Sequence, residues 1–206
     1  ERGDITREEL WNHVPSIVKD SVINREMSEN NLAEIFCQID DLMEEYGIHN
    51  VDLVIGGPPC QAYSLAGRGR KDMSDDPRNE LYKLYAEFLN YYKPKMFVFE
   101  NVAGITSAKG GDVFEALKRK LDEVGYRFEA KEQNARKFGV LQNRRRMIII
   151  GWRKDSEGFY PDFPKEEAGA IVNDLLLDLP PLHPGEKAGR DYRCDLSDAS
   201  EYVRKS

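Results

Sequence analysis

The 206-residue sequence has few cysteines and histidines and no long apolar run. No stretch approaches the roughly 18 apolar residues that cross a bilayer, and the chain begins with charged residues rather than a signal sequence. The three cysteines form neither a CxxC pair nor an even set, which disfavours a disulfide scaffold. Cysteines and histidines also lack the spacing of zinc ligands, so we predict no metal site. We interpret the chain as a cytoplasmic protein without a membrane partner.

An excess of positive charge is also missing, because the formal net charge is -7. Proteins that bind nucleic acid usually carry a basic face that neutralises phosphates. Two local basic clusters nevertheless occur, one at 68–71 and one at 144–153. The sequence is therefore compatible with a nucleic-acid-binding face on an otherwise acidic protein.

Apolar periodicity predicts an alternation of helices and strands. The first helix begins with a capping box at Thr6 and Glu9 and continues through Val18. The other predicted helices cover 32–43, 81–92 and 113–124, and the predicted strands cover 51–55, 96–99, 127–133 and 146–152. This order predicts an α/β fold with a mainly parallel sheet of buried strands, in which the last strand pair is antiparallel.

Residues that can carry chemistry follow the predicted strands. Cys60 lies in Gly-Gly-Pro-Pro-Cys-Gln just after the first strand, and Glu100 directly follows the second. The segment 142–146, Gln-Asn-Arg-Arg-Arg, leads into the last strand. Because ligands of open α/β sheets bind beyond the carboxyl ends of the strands, these groups are candidates for one site.

Each candidate also has a simpler interpretation. Cys60 alone is compatible with a small buried apolar residue, and Glu100 with a strand-end acid in an ion pair. The arginine run is compatible with a solvated basic edge. Alternation along an extended segment would place Arg144 and Arg146 on one face, with Arg145 pointing away.

Taken in order, the elements Pro-Cys-Gln, Glu-Asn-Val and Gln-x-Arg-x-Arg resemble the family of C5-cytosine-specific DNA methyltransferases. The resemblance covers roughly residues 52–153 and implies a partial Rossmann-like methyltransferase sheet. It implies methyl transfer from S-adenosylmethionine to C5 of a flipped-out cytosine in double-stranded DNA. The implied catalytic residues are Cys60, Glu100, Arg144 and Arg146, the implied cofactor-binding residues are Asp4, Pro59 and Leu81, and the implied catalytic loop is 61–79.

A thiolate, a partly protonated carboxyl and two guanidinium groups suit this chemistry. Cytosine C5 is a poor nucleophile, and addition of the Cys60 thiolate to C6 would push electron density onto C5. Glu100 would hydrogen-bond N3 and the exocyclic amine, and could donate a proton as the thiolate adds. Arg144 would contact the base or phosphate, and Arg146 would support it. Asn101 is expected to hold the loop geometry.

The sequence departs from this family pattern at both ends. The glycine-rich cofactor loop and the recognition domain are not found, so we interpret the chain as a fragment or part of a split enzyme with a complementary chain. We assign 1–154 to the central catalytic region and 155–206 to a peripheral segment that leads toward the recognition domain. The strand at 51–55 should then have one open edge, and the isolated chain should be inactive and bind S-adenosylmethionine weakly.

Two other functions stay open at this stage. Divergent members of the same family methylate transfer RNA, and a non-catalytic subunit could keep the fold and pair with an active partner. Retention of Cys60, Glu100 and Arg144 together favours an enzyme. A prokaryotic restriction-modification enzyme is the leading interpretation, although the target sequence cannot be read from this chain.

Overall fold

The computed structural model describes residues 6–59, 81–166 and 176. Asp4, Cys60, the predicted catalytic loop 61–79 and most of the predicted peripheral segment 155–206 lie outside the described residues. The chain divides into two compact units, Glu1–Glu129 with Ile149–Tyr160, and Ala130–Ile148 with Pro161–Ser206. The predicted boundary after residue 154 stays a prediction.

The described elements follow the predicted alternation of helices and strands. The α-helices are α1 (Arg7–Asn12), α2 (Ser16–Asp20), α3 (Leu32–Glu45), α4 (Leu81–Tyr92) and α5 (Asp112–Glu123). The strands are β1 (Leu53–Gly56), β2 (Met96–Val102), β3 (Tyr126–Asn134) and β4 (Arg145–Arg153). No helix within these described residues is long and apolar enough to cross a membrane.

The single N-terminal helix that we predicted through Val18 is wrong, because two short helices occupy this region. The capping box itself is confirmed: the Glu9 amide donates to Thr6 Oγ1 at 3.1 Å, and the Thr6 amide donates to the Glu9 carboxylate at 2.7 Å. α1 ends at Asn12, and Pro15 lies directly before α2. Proline disfavours helical backbone in the residue before it and lacks an amide hydrogen, so the apolar spacing continues across a break.

Helices α3 and α4 pack through an aromatic cluster. The Phe36 ring of α3 stacks on Tyr91 with 4.3 Å between ring centroids and meets Phe88 edge-on at 4.9 Å. Asp40 accepts hydrogen bonds from the hydroxyls of Tyr91 at 2.6 Å and Tyr92 at 3.1 Å. The stripe that predicted α3 therefore faces α4.

The strands form one sheet in the order β1-β2-β4-β3. β1 and β2 are parallel, and their register places Gly56 beside Phe99. The backbone amide of Arg153, at the end of β4, donates to the carbonyl oxygen of Lys95, which directly precedes β2. This end-to-start pairing makes β4 antiparallel to β2. The Lys154 amide, just after β4, donates to the carbonyl oxygen of Gly125, just before β3, so β4 is antiparallel to β3 as well. The predicted α/β fold, with its mainly parallel sheet and antiparallel last pair, is confirmed.

β1 lies at an edge of this sheet, with β2 as its neighbour among the described residues. This is the open edge that the sequence predicts. The expected burial of β1 is wrong, however, because Leu53 is 46% exposed and Ile55 is 71% exposed. Successive side chains alternate between faces, and Tyr85 of α4 contacts the strand at Val54 and Gly56. The face that carries Leu53 and Ile55 is open.

The core of the first unit lies between β2, the start of β3, the end of β4 and helices α4 and α5. Phe97 and Tyr126 meet edge-on at 5.4 Å, and the Tyr126 hydroxyl donates to the Pro94 carbonyl at 2.7 Å. Gly151 allows close contact with Phe97, since a Cβ there would lie 2.1 Å from the ring. The side chains with no exposed surface are Ala86, Leu89, Phe97, Phe99, Leu117, Leu121 and Ile149.

The second unit contains the facing ends of β3 and β4 and a short extended segment. Ala135 donates to the Arg144 carbonyl at 2.9 Å, which continues the antiparallel pairing. A 3-10 turn, Ala135–Lys137, follows β3. Residue Glu166 then exchanges hydrogen bonds with the backbone of Lys137 and Gly139.

Candidate active site

The loop after β1 approaches the end of β2 very closely. A Cβ placed on Gly57 would lie 3.1 Å from Glu100 Oε2 and 3.6 Å from the Glu100 carbonyl oxygen. A contact of 3.1 Å is tighter than most side chains tolerate, so glycine lets the loop pass over the half-buried carboxylate. The parallel register produces this proximity, because Gly56 pairs with Phe99, and Gly57 and Glu100 are the residues that directly follow them.

Asn101 fastens the same loop. Its side-chain amide donates to the carbonyl oxygen of Pro58 at 3.2 Å, and its Oδ1 accepts from the Val102 amide at 2.8 Å. Asn101 is only 4% exposed, and a buried amide of this kind is stabilised when both its donor and acceptor are used. The predicted role of Asn101 in holding the loop is confirmed.

Tyr85 of α4 supports the strands beneath the loop. Its hydroxyl lies 3.1 Å from the Val54 carbonyl oxygen and 3.0 Å from the Val98 carbonyl oxygen. Burial raises the pKa of Tyr85 well above its ordinary value, so the hydroxyl keeps the proton that it donates. A Cβ on Gly56 would lie 2.5 Å from the Tyr85 ring. The two glycines of the motif thus make room for two different side chains.

A cavity of about 470 Å³ opens beside this loop. Its wall includes residues 54–59 and three residues of α4, namely Leu81, Tyr85 and Phe88. Glu26 and Met27, from the extended segment between α2 and α3, complete it. Apolar side chains predominate, and Glu26 is the charged one. Cavities of this size bind small organic ligands when a few polar groups orient them.

The predicted cofactor residues Pro59 and Leu81 both line this cavity, whereas Asp4 lies outside the described residues. S-adenosylmethionine has an adenine ring, ribose hydroxyls and a cationic methionine portion. An apolar wall with one carboxylate suits a ligand that combines a flat ring with hydrogen-bond donors and positive charge. The residues present therefore fit this group.

Arg144, Arg145 and Arg146 belong to the second unit. Arg145 pairs with Glu132 of β3 at 2.6 Å in an exposed ion pair. Arg146 is half-buried, and one of its guanidinium nitrogens donates to the Arg145 carbonyl at 2.8 Å. Arg144 is exposed, and among the described residues no ion pair engages its side chain. Arg145 and Arg146 thus have different surroundings, and the predicted placement of Arg144 and Arg146 on one face stays a prediction.

Sequence reasoning missed several residues of this region. The sequence places Gly56 and Gly57 directly after the first strand, but only the register of β1 against β2 places Gly57 beside Glu100, and only the packing of α4 places Gly56 against Tyr85. Glu26 and Met27 lie in an aperiodic segment that gave no signal. In the part of the chain that the structure describes, no group of three or more His, Cys, Asp or Glu side chains is placed to hold a metal ion.

Comparison with known proteins identifies the class of this chain. Residues 12–197 match the family of C-5 cytosine-specific DNA methylases. The match spans most of the chain and includes the Pro-Cys-Gln, Glu-Asn-Val and Gln-x-Arg-x-Arg elements. The chain belongs to the C-5 cytosine-specific DNA methylase family.

Two relatives of this chain are Type II methyltransferases. The chain is 41% identical over 168 residues to the Type II methyltransferase M.Bpa9945I of Bacillus paralicheniformis, covering 75% of this chain and 37% of that protein. It is 36% identical over 149 residues to the Type II methyltransferase M1.HphI of Haemophilus parahaemolyticus, covering 72% and 40%. The chain thus spans about two fifths of these relatives.

A solved structure supports the fold. A protein encoded within an E. coli prophage and described as a DNA modification methyltransferase superposes with a TM-score of 0.52 at 26% identity. The superposition covers 69% of this chain and 39% of that protein. The α/β architecture of the described residues is therefore that of a methyltransferase sheet.

Proposed function

We propose that this chain carries the catalytic centre of a DNA (cytosine-5)-methyltransferase. The observation that carries the proposal is the close approach of the Gly57 loop to Glu100, in a chain that belongs to this family. Pro59 ends the described part of the loop, and Cys60 follows it directly in the sequence. The described geometry supports a site in which the Glu100 carboxylate lies beside the loop that leads, in the sequence, to Cys60.

In the proposed reaction, the Cys60 thiolate adds to C6 of cytosine and forms a C–S bond. Glu100 binds N3 and the exocyclic amine, and donates a proton to N3 as the thiolate adds. S-adenosylmethionine supplies the methyl group to C5 and leaves as S-adenosylhomocysteine. Loss of the C5 proton to a base then expels the Cys60 thiolate, and N3 returns its proton to the Glu100 carboxylate, which restores the aromatic ring and the protonated acid.

Arg144 contacts the base or its phosphate, and Arg146 supports it. The exposed Arg144 side chain is free of ion pairs among the described residues, which supports a role toward substrate. Pro59 and Leu81 contact the methyl donor in the cavity beside the loop, and Asp4 is a further candidate for this contact. Because a base inside a duplex cannot reach such a site, the cytosine must be flipped out of the DNA.

The names of the relatives support a restriction-modification role, since both are Type II methyltransferases. Methylation of transfer RNA and a non-catalytic role are the alternatives that the experiment must separate. The alternatives predict different outcomes, because methylation of transfer RNA predicts a Cys60 adduct with RNA, whereas a non-catalytic role predicts no adduct.

The test is covalent trapping on DNA that contains 5-fluorocytosine, where the thiolate adds but elimination is blocked. This chain and the full reading frame that encodes it are incubated with S-adenosylmethionine and the fluorinated duplex, and adducts are resolved on a denaturing gel. We expect an adduct with the full reading frame, little with this chain alone, and none with Cys60→Ser.

A parallel incubation uses transfer RNA substituted with 5-fluorocytosine. Trapping on RNA but not DNA would replace the proposed substrate. An adduct that survives Cys60→Ser, or no adduct from the full reading frame on either substrate, would refute the proposed catalytic role of Cys60.

A further inference from the structure

The segment between α2 and α3 contributes to the cavity beside the described loop after β1, although none of the family-like motifs lies there. Glu26 and Met27 line the same cavity as Pro59 and Leu81. Met27 is half-buried, and the Glu26 side chain is exposed toward solvent. The cavity therefore has a wall that the motif residues alone would not provide.

This segment is held in place by specific contacts. Asn31 Nδ2 donates to the Glu26 carbonyl at 2.6 Å, and Asn31 Oδ1 accepts from the Ser28 amide at 2.9 Å. The Asn31 side chain thereby bridges the residues on either side of Met27. Asn31 is the N-cap residue of α3 but makes no capping hydrogen bond with its side chain. Its polar atoms fix the segment instead.

An ion pair adds a second attachment. Arg25 contacts Glu34 of α3 with 2.6 Å between Nη1 and Oε2. The two attachments tie the residues before and after Met27 to one helix. A wall that is fixed before a ligand binds loses less conformational entropy on binding than a free loop would.

We infer that Glu26 and Met27 form part of the methyl-donor site, with Met27 packing on the ligand and the Glu26 carboxylate accepting hydrogen bonds from its hydroxyl or amine groups. The inference rests on the proposed function, which assigns this cavity to S-adenosylmethionine. Glu26 is the charged side chain of a mainly apolar wall, so it contributes the polar recognition that apolar packing cannot. Methionine adapts its unbranched side chain to a flat ring.

The test measures binding rather than activity. Dissociation constants of S-adenosylmethionine and S-adenosylhomocysteine are determined for this chain by ligand-observed NMR, with ligand up to several millimolar because weak binding is expected. The variants are Glu26→Gln, Met27→Ala and Met27→Leu. Their matched controls are Glu29→Gln, in the same segment, and Met43→Ala on α3, neither of which lines the cavity.

We expect Glu26→Gln and Met27→Ala to weaken both ligands about tenfold, because each removes a contact that both ligands share. Met27→Leu should bind nearly as well as the parent, since leucine restores the apolar volume. Controls with parent-like affinity would complete this result. Affinities of Glu26→Gln and Met27→Ala that match their controls, or no saturable binding by the parent chain, would overturn the inference.

The trapping experiment keeps the two claims separate. If the full reading frame forms the Cys60 adduct while Glu26→Gln and Met27→Ala bind like their controls, the proposed function stands and this inference fails. If the parent chain binds the donor through Glu26 and Met27 but the full reading frame forms no adduct, the donor site stands and the proposed role of Cys60 fails.

Discussion

The side chain of Asn101 donates a hydrogen bond to the carbonyl oxygen of Pro58, two residues before Cys60. This bond links the end of β2 to the loop after β1, so the residue next to Glu100 fixes the segment that leads to the proposed nucleophile. The strand that carries Glu100 therefore also positions the backbone at Pro58, two residues before Cys60 in the sequence.

Replacing Asn101 with Asp should slow covalent trapping and lower stability. Aspartate keeps the acceptor for the Val102 amide, but it cannot donate to Pro58 and places a charge at a buried position. We expect a loss of about 1–3 kcal/mol in the free energy of unfolding, measured by urea denaturation. Asn90→Asp, at an exposed position of α4, is the control; equal losses in both variants would contradict the assigned role.

Replacing Gly57 with Ala should impair catalysis more than folding. The added Cβ would lie 3.1 Å from Glu100 Oε2, so the carboxylate must shift by a few tenths of an ångström. Misplacement of a catalytic group is costly, and we expect trapping by the full reading frame to slow at least about tenfold. The melting temperature should change little.

Gly47→Ala is the control, and we expect it to lower stability without affecting trapping. Gly47 has a φ of 65° and nothing within 4 Å of its added Cβ. Alanine is strained in that left-handed conformation, so stability should fall by about 1 kcal/mol while trapping stays unchanged. Trapping that is equally fast in Gly57→Ala would show that the loop does not constrain Glu100.

The strand-end residues were accessible to sequence reasoning, but their mutual contacts were not. Apolar spacing predicted α3, α4 and α5, and strand position indicated Glu100. Contacts such as Gly57 with Glu100 depend on the register of β1 against β2, which a strand pattern does not specify. Pro15 divided a helix whose apolar spacing continued, and the burial of β1 was overestimated because only one of its faces is covered. Met27 had no periodic pattern that could reveal it.

Arg144 and Arg145 should respond differently to alanine. Arg145 pairs with Glu132 at the surface, and such pairs contribute less than about 1 kcal/mol, so Arg145→Ala should leave trapping unchanged. Arg144→Ala should slow trapping by about 10²-fold, since it removes a proposed contact to the substrate. The rate of adduct formation by the full reading frame on the fluorinated duplex measures both. Equal effects of the two substitutions would refute the predicted division of roles.

The buried Tyr126 should cause the free energy of unfolding to decrease as the pH rises above 10. Burial raises the pKa of Tyr126 to about 12, whereas tyrosine in the unfolded chain titrates near pH 10. Above pH 10 the unfolded chain releases this proton and the folded chain retains it, so the free energy of unfolding falls by at most about 1.4 kcal/mol per pH unit up to pH 12.

Urea denaturation of the parent and Tyr126→Phe between pH 8 and 11.5 tests this linkage. The variant should be slightly less stable at pH 8, because the hydrogen bond to Pro94 is lost, but its stability should decline less steeply above pH 10. The stability of Tyr126→Phe will still decrease to some extent above pH 10, since burial also raises the pKa of Tyr85. Identical slopes in the two proteins would argue against a buried, protonated Tyr126.

The last prediction concerns the exposed face of β1. Ile55 is 71% exposed, so Ile55→Lys should change the free energy of unfolding of this chain by no more than about 0.5 kcal/mol. Phe99, in the neighbouring strand, has no exposed surface, and Phe99→Ala should cost about 3–5 kcal/mol. Urea denaturation of both variants makes the comparison. A loss of several kcal/mol from Ile55→Lys would mean that this face of β1 is covered in solution, because a lysine is costly only where water is excluded from its charge.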